Sequence, residues 1–403
     1  MGPATATATP IGTARELRVD TISDYRSFLA LEPVWTALVE AAGIDHPFLS
    51  HEWVRTWWEC FGAGKQLRIL TVSAGDDVIA IAPLMLSHGR MNGFKLRRLQ
   101  FIYNDHTPRF DFIVAHRPEE AYRAIWQYLS DQRPHWDVIE LGQLPAGSRT
   151  LKELSRLAAD DGFLIGSWRS TASPYLPVRG AWESYLQDLS GKHRSNLRNR
   201  LKRLGQLGQV QLEEICCGEQ LESALEEGLR IEAAAWKGEA GTAILSRPDL
   251  SRFYRILAEH AGQRGWLRLH FLTVNHRRIA FAYALCYKNR LYLLKDGYDP
   301  EYARYSPFNL LCYTVLREAH ARGLVEYDFL GAHEAWKLDW TRETRDHYWL
   351  FVFPNVPRTR LLHSIKFRLV PRLKQYPLYL ALRATVLGLR NGVKSHQNHG
   401  ACG

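Results

Sequence analysis

Apolar and polar residues alternate in blocks along this 403-residue chain, and the blocks fall in the same order twice. From Leu67 to Leu86, LRILTVSAGDDVIAIAPLML reads as strand, Gly75-Asp76 turn, strand. EEAYRAIWQYLSD (119–131) then has helical spacing, and WDVIELG (136–142) is a further strand. From Leu267 to Tyr287, LRLHFLTVNHRRIAFAYALCY repeats strand, Asn275-His276 turn, strand. LYLLKDGYD (291–299) is an apolar run that ends in Gly297 and Asp299-Pro300. Ser306-Pro307 opens a helix in which Leu310, Leu311, Thr314, Val315, Glu318 and Ala319 recur at helical spacing, Arg322-Gly323 stops it, and VEYDFLG (325–331) follows as a strand. Each half ends a strand in Leu-Gly, at Gly142 and Gly331. Antiparallel strands leading into a strand-helix-strand crossover predict an α/β (α+β) fold of two similar lobes, each a mixed, mostly antiparallel sheet flanked by helices.

Periodicity breaks at SPYLPVRG (173–180), so the expected organisation is a leader over 1–15, one lobe over 16–178, a second over 179–355 and a tail over 356–403. The net charge of +10 changes meaning once it is located. No Asp or Glu follows Asp346, and nine Lys or Arg residues lie between Arg358 and Lys394, so the first 357 residues net only about +1. A nearly neutral body argues against DNA as a partner. The tail interleaves its basic residues with Leu, Ile, Phe and Tyr; an interfacial helix on an anionic membrane, over 356–395, stands beside packing back onto the body. Six cysteines without CxxC or framework spacing fit a reducing compartment. MGPATATATPIG has neither a basic nor an apolar signal region, and Leu378–Leu389 is too short to span a bilayer. The expected location is cytoplasmic, on the inner membrane face if the tail binds there.

Chemistry concentrates beyond VEYDFLG, where His333, Glu334, Lys337 and Asp339 crowd the carboxyl end of a strand, the usual ligand position in open α/β sheets. HEAWK lacks the second histidine of a zinc motif, and lysine is no zinc ligand, so metal is set aside. An ordinary ion pair between Glu334 and Lys337, three residues apart, is the plain alternative. In GKHRSNLRNRLKRLG (191–205), Leu197, Leu201 and Leu204 mark an apolar face, and Lys192, Arg194, Arg198, Arg200, Lys202 and Arg203 line the other. That face is either solvated or a phosphate-gripping edge. AAAWKGEAGTAI (233–244) ends a helix at Lys237-Gly238, through a simple glycine cap or as a substrate wall in which Trp236 packs a sugar or acyl face. NDHTPRFDF (104–112) puts Asn104, Asp105, His106, Arg109 and Asp111 on a first-lobe loop, most simply as surface decoration.

GYDPEYARYSP (297–307) followed by YDFLGAHEAWKLDW (327–340) resembles the signature of the CelD-type, cellulose-biosynthesis-associated acetyltransferase domain, a branch of the GNAT superfamily close to the FemAB transferases. The likeness extends over most of residues 17 to 355 and takes in the basic helix and the Trp-Lys-x-x-x-Gly-Thr-Ala loop. Phe308 stands where the family carries glycine after Ser-Pro, which bears on how closely a pantetheine or pyrophosphate approaches. The resemblance implies tandem GNAT-like lobes and an N-acyltransferase that uses acetyl-CoA or another acyl-CoA on an amino group of a sugar, polysaccharide precursor or related small molecule. It casts Glu334 as base with Asp299 as a second base candidate, Tyr298 as acid and Lys337 as oxyanion or phosphate partner. Donor binding would fall to Tyr302, Arg304, Ser306 and Asn309; substrate binding to Lys192, Arg194, Arg198, Trp236, Lys237, Thr242 and His333. Two alternatives stand beside it: a Fem-like transferase that takes its acyl group from aminoacyl-tRNA, and a non-catalytic accessory of envelope polysaccharide synthesis.

Overall fold

The computed structural model of the chain describes residues 16–234, 243–373 and 375–376. Fifteen strands occur among them: β1 Leu17–Ile22, β2 Gln66–Ala74, β3 Asp77–Met91, β4 Phe94–Phe101, β5 Ile113–Val114, β6 Val138–Pro145, β7 Leu164–Arg169, β8 Ser173–Pro177, β9 Val210–Ile215, β10 Leu267–Val274, β11 Arg277–Tyr287, β12 Arg290–Tyr298, β13 Glu326–Asp328, β14 Thr344–Arg345 and β15 His347–Phe353. They form two mixed sheets flanked by helices, in two lobes of similar plan. The first runs β1-β2-β3-β4-β6-β15-β7, with β5 on β3; the second runs β14-β8-β13-β12-β11-β10-β9. Each sheet has one parallel contact at its centre, β4 on β6 and β12 on β13. The expected hairpin turns are there. Gly75 (φ 68) turns β2 into β3, and Asn275 and His276 (φ 48 and 68) turn β10 into β11 as the left-handed pair of a type I′ loop.

The lobes exchange strands. β8, which follows the first lobe, pairs with β13 and β14 in the second sheet, and β15, which follows the second, inserts between β6 and β7 of the first. Segments 170–172 and 346 therefore cross between the sheets, and neither sheet is built from a continuous stretch.

Helices complete the join. His51–Phe61 starts on Ser50, whose hydroxyl accepts from Trp53 N–H at 3.2 Å, and it packs against Pro248–Gln263 of the second lobe. Trp53 and Phe61 meet Phe253 edge-on or tilted at 5.4 Å, and Phe48 meets Tyr292 at 5.5 Å, so one apolar core runs through both lobes. The helix Leu221–Ala233 lies so close to β12 that a side chain at Gly297 would meet the Glu232 backbone at 2.5 Å; the glycine is required by packing. The start of the tail, Pro357–Ser364 and the turns after it, lies on the first sheet, with Leu362 buried and Phe367 over Gly166 and beside Trp168. No helix among the described residues is long and apolar enough to cross a membrane.

Candidate active site

β12 and β13 pair only at Arg290–Tyr292 against Glu326–Asp328. Beyond those pairs the strands part. β12 continues on β11 with a bulge at Leu294, while the chain after β13 turns away through two left-handed residues, Leu330 (φ 53) and Gly331 (φ 60). A cavity of about 270 Å³ opens at the gap. The second lobe lines it with Tyr254, Leu294, Lys295, Leu330, Gly331 and Ala332, and the first lobe with Asp105, His106, Pro108 and Gln143. Ser170, Thr171, Ser173 and His347, at the two crossings, close it.

The backbone supplies its donors. Gly331 and Ala332 N–H groups donate no hydrogen bond to any described residue. Lys337, itself buried, holds the turn that presents them: its Nζ donates to Leu330 O at 2.8 Å and Ala332 O at 3.2 Å. Asp328 holds it from below, accepting from Leu330 N–H at 2.9 Å. The Asp328 carboxylate is fully buried, and it is compensated by Arg109 of the first lobe at 2.8 Å and Arg345 at 3.0 Å. Thus a first-lobe loop residue fixes the second lobe's site.

The titratable groups of the cavity have unusual surroundings. Burial first, then the charges of Lys295 and Arg247, hold His106 down at about 4. Burial and the Arg109 charge bring His347 to about 4 as well. Both imidazoles are neutral at neutral pH. Burial raises the Tyr254 hydroxyl well above the phenol range, and the Lys295 ammonium lies 5.6 Å from its ring. A neutral imidazole, an ammonium and two unpaired N–H groups around one small cavity form a set that can receive an amine and stabilise an oxyanion.

Asp105 and His106 of the first-lobe loop line this cavity; none of the described residues expected to serve as acid, base, donor site or substrate site does. Glu334 is exposed, accepts from Trp336 Nε1 at 2.7 Å and stands 3.5 Å from Lys337 Nζ. Asp299 caps the turn Pro300–Tyr305 by accepting from Glu301 N–H at 3.0 Å, and it pairs with Arg277 at 2.8 Å. Tyr298 packs on the second core cluster with Tyr302. Arg304 lies over the Tyr305 ring, Ser306 (φ 49) opens the helix Pro307–Ala321, and Asn309 is half-buried in its first turn. That first turn is covered: Phe308 is buried and meets Trp336 edge-on at 5.3 Å. His333 is exposed. Lys192, Arg194 and Arg198 project from Gly191–Gly205, which His193 ties to the loop beyond Gly331 through the Trp340 ring at 4.6 Å. Trp236, Lys237 and Thr242 lie outside the described residues.

Sequence reasoning passed over Lys295, His106 and Arg109 as functional groups. One signal was available. Asp105-His106 and Arg109 are charged or titratable residues inside a stretch otherwise flanked by Phe101, Phe110 and Phe112, an unusual setting for a solvent loop.

Residues 191–338, within the second lobe, match the family described as Acetyltransferase (GNAT) domain. A crystal structure of FemX superposes with a TM-score of 0.55 at 14% identity, covering 81% of this chain and 98% of that one. The C-terminal domain of a protein described as a lysylphosphatidylglycerol synthetase, from Agrobacterium fabrum, superposes with a TM-score of 0.50 at 13% identity, covering 84% and 96%. The two-lobed fold is shared with both. No curated protein matches the chain in sequence.

Proposed function

We propose that this protein is an N-acyltransferase that carries an acyl group from a coenzyme A thioester to an amino group of a sugar or polysaccharide precursor, in the cavity between the lobes. The observation that carries this reading is the parting of β12 and β13 over the unpaired Gly331 and Ala332 N–H groups, with Lys295 and His106 on the same cavity. The GNAT domain match at residues 191–338 supports acyl transfer as the reaction class. The amine nitrogen attacks the thioester carbonyl carbon, and the oxygen takes up negative charge beside the two N–H groups and Lys295. The neutral His106 imidazole accepts the proton that the amine loses. Collapse breaks the carbon–sulfur bond, and the thiolate leaves with the proton that His106 took up. Lys337 positions the turn in this scheme and touches no reacting atom.

Aminoacyl-tRNA is a second donor reading, supported by two observations. Phe308 and Trp336 cover the helix turn where a coenzyme pyrophosphate would seek N–H groups. Lys192, Arg194, Arg198, Arg200, Lys202 and Arg203 form no ion pair within 4.0 Å among the described residues.

Purified protein given acetyl-CoA and an amino-sugar acceptor tests the first reading. Transfer is expected, reduced about 10²–10³-fold in Lys295→Met. Transfer that requires charged tRNA and falls steeply with salt would move the donor to the second reading. Full activity in Lys295→Met would remove the site from either.

A further inference from the structure

A second cavity, of about 470 Å³, lies against the first sheet and meets the first one at Asp105, which lines both. Its volume falls within the roughly 300–1,000 Å³ of small-molecule sites. Trp57, Tyr103 and Trp349 supply aromatic surface, and Arg98 and Glu140 supply charge. Two glycines on separate strands make room for its walls. A side chain at Gly89 would meet the Arg98 guanidinium at 2.6 Å, and one at Gly142 would meet the Tyr103 hydroxyl at 2.2 Å and the Trp349 ring at 3.0 Å. Glycine inside a strand weakens it, so this pair marks where the sheet gives way to the side chains that wall the cavity.

The polar groups of this cavity are short of partners. Trp57 Nε1, Arg98 Nε and Glu140 Oε2 are buried and make no hydrogen bond to any described residue, and the closest approach of the Arg98 and Glu140 charged groups is 3.6 Å. Such groups destabilise the empty fold, and a ligand rich in hydroxyls would relieve part of that. Charge narrows the class. Lys65 and Arg98 face the carboxylates of Glu140, Asp105 and Asp249, a near balance that suits a neutral or singly cationic occupant better than a phosphate.

We infer that this cavity is a sugar subsite: it holds a hexopyranosyl unit of the acceptor, with apolar ring faces on the tryptophans and hydroxyls on Arg98 and Glu140, while the amino group reaches past Asp105 to His106 and Lys295. The inference rests on the proposed acyl transfer for its role, but the sugar binding is measurable without any donor. Calorimetric titration of the full chain with the glucosamine disaccharide, and with cellobiose as its neutral counterpart, is expected to show binding of at least one. Glu140→Gln and Trp349→Leu should weaken that binding by tenfold or more, and Lys65→Met at the rim by severalfold without touching the sheet. Failure of both sugars to bind the wild type, or equal binding by all the cavity variants, overturns the subsite. Sugar binding that follows this pattern without any acyl transfer would uphold the subsite and remove the proposed reaction instead.

Discussion

The parallel strands part in both lobes, and what fills each gap separates them. In the first lobe the last parallel pair is Gln100 with Glu140; in the second it is Tyr292 with Asp328. Three residues past these pairs stand Tyr103 and Lys295 on one strand, and Gln143 (φ 59) and Gly331 (φ 60) on the other. The scaffold is thus the same down to the left-handed turn. In the first lobe, however, the chain pairs the backbone at its gap. Gln143 O accepts from Phe110 N–H at 3.1 Å, and Phe101 packs between Phe110 at 4.9 Å and Phe112 at 5.7 Å. The second lobe leaves its N–H groups unpaired and puts an ammonium beside them. Side chains wall the cavity at the first gap, and free backbone donors are added only at the second.

Substitution at the two matched positions breaks this comparison most directly. Lys295→Met should lower kcat/KM about 10²–10³-fold, and Tyr103→Phe should leave the chemical step within about threefold, checked by single-turnover rates. Should Tyr103→Phe prove as damaging as Lys295→Met, the lobes would share the chemistry. Next in size is Arg109→Met, which leaves the buried Asp328 carboxylate with Arg345 alone; a loss of about 3–5 kcal/mol in denaturant unfolding is expected. Equal stability would mean that the first lobe does not hold the second lobe's turn.

The glycines sharpen the contrast at smaller cost. Gly142→Ala collides with Tyr103 and should destabilise by about 1–3 kcal/mol. Gly331→Ala meets Lys337 Nζ at 3.3 Å and bears a left-handed φ, a penalty of about 1–2 kcal/mol. Thermal melts and kcat measured together should show the first change mainly in stability and the second mainly in rate. Acid should act through His106 and His347. Both are held at about 4 in the fold against 6.5 when free, so the unfolded chain binds more protons between these values and stability falls as pH drops from about 6.5 to 4. His347→Asn should flatten that slope in pH-dependent melts. Smallest of all is removal of the chain after Tyr376. Leu362 and Phe367 pack on the first sheet and stay, so the melting temperature should hold; flotation with anionic liposomes then reports whether residues 377–403 bind a membrane.

Much of the scaffold was legible because its signals are local. The Gly75-Asp76 and Asn275-His276 turns and the helices after Arg117 and Ser306 follow from spacing and turn chemistry, which neighbours in sequence determine. Gly142 and Gly331 both read as strand ends, yet β6 runs on through Gly142 to Pro145 and β13 stops at Asp328, and the two glycines differ in use. Gly142 makes room for Tyr103 and Trp349, residues 39 and 207 positions away by their numbers, and no local pattern carries that information. Glu334 and Asp299 drew notice because charged residues beside strand ends suggest chemistry, but the fold gives them a tryptophan, a lysine and an arginine as neighbours on the surface.

By itself the sequence determined that there are two lobes of one plan, that their sheets contain a strand-helix-strand crossover, and that polar residues gather beyond Gly331. Only the tertiary structure decided where the open cavity lies. The reason is physical. The cavity is lined by residues 105, 106, 108, 143, 170, 171, 173, 254, 294–295, 330–332 and 347, brought together by strands exchanged between lobes and by the buried Arg109–Asp328 pair. Contacts across 219 residues are set by packing, and periodicity does not reach that far.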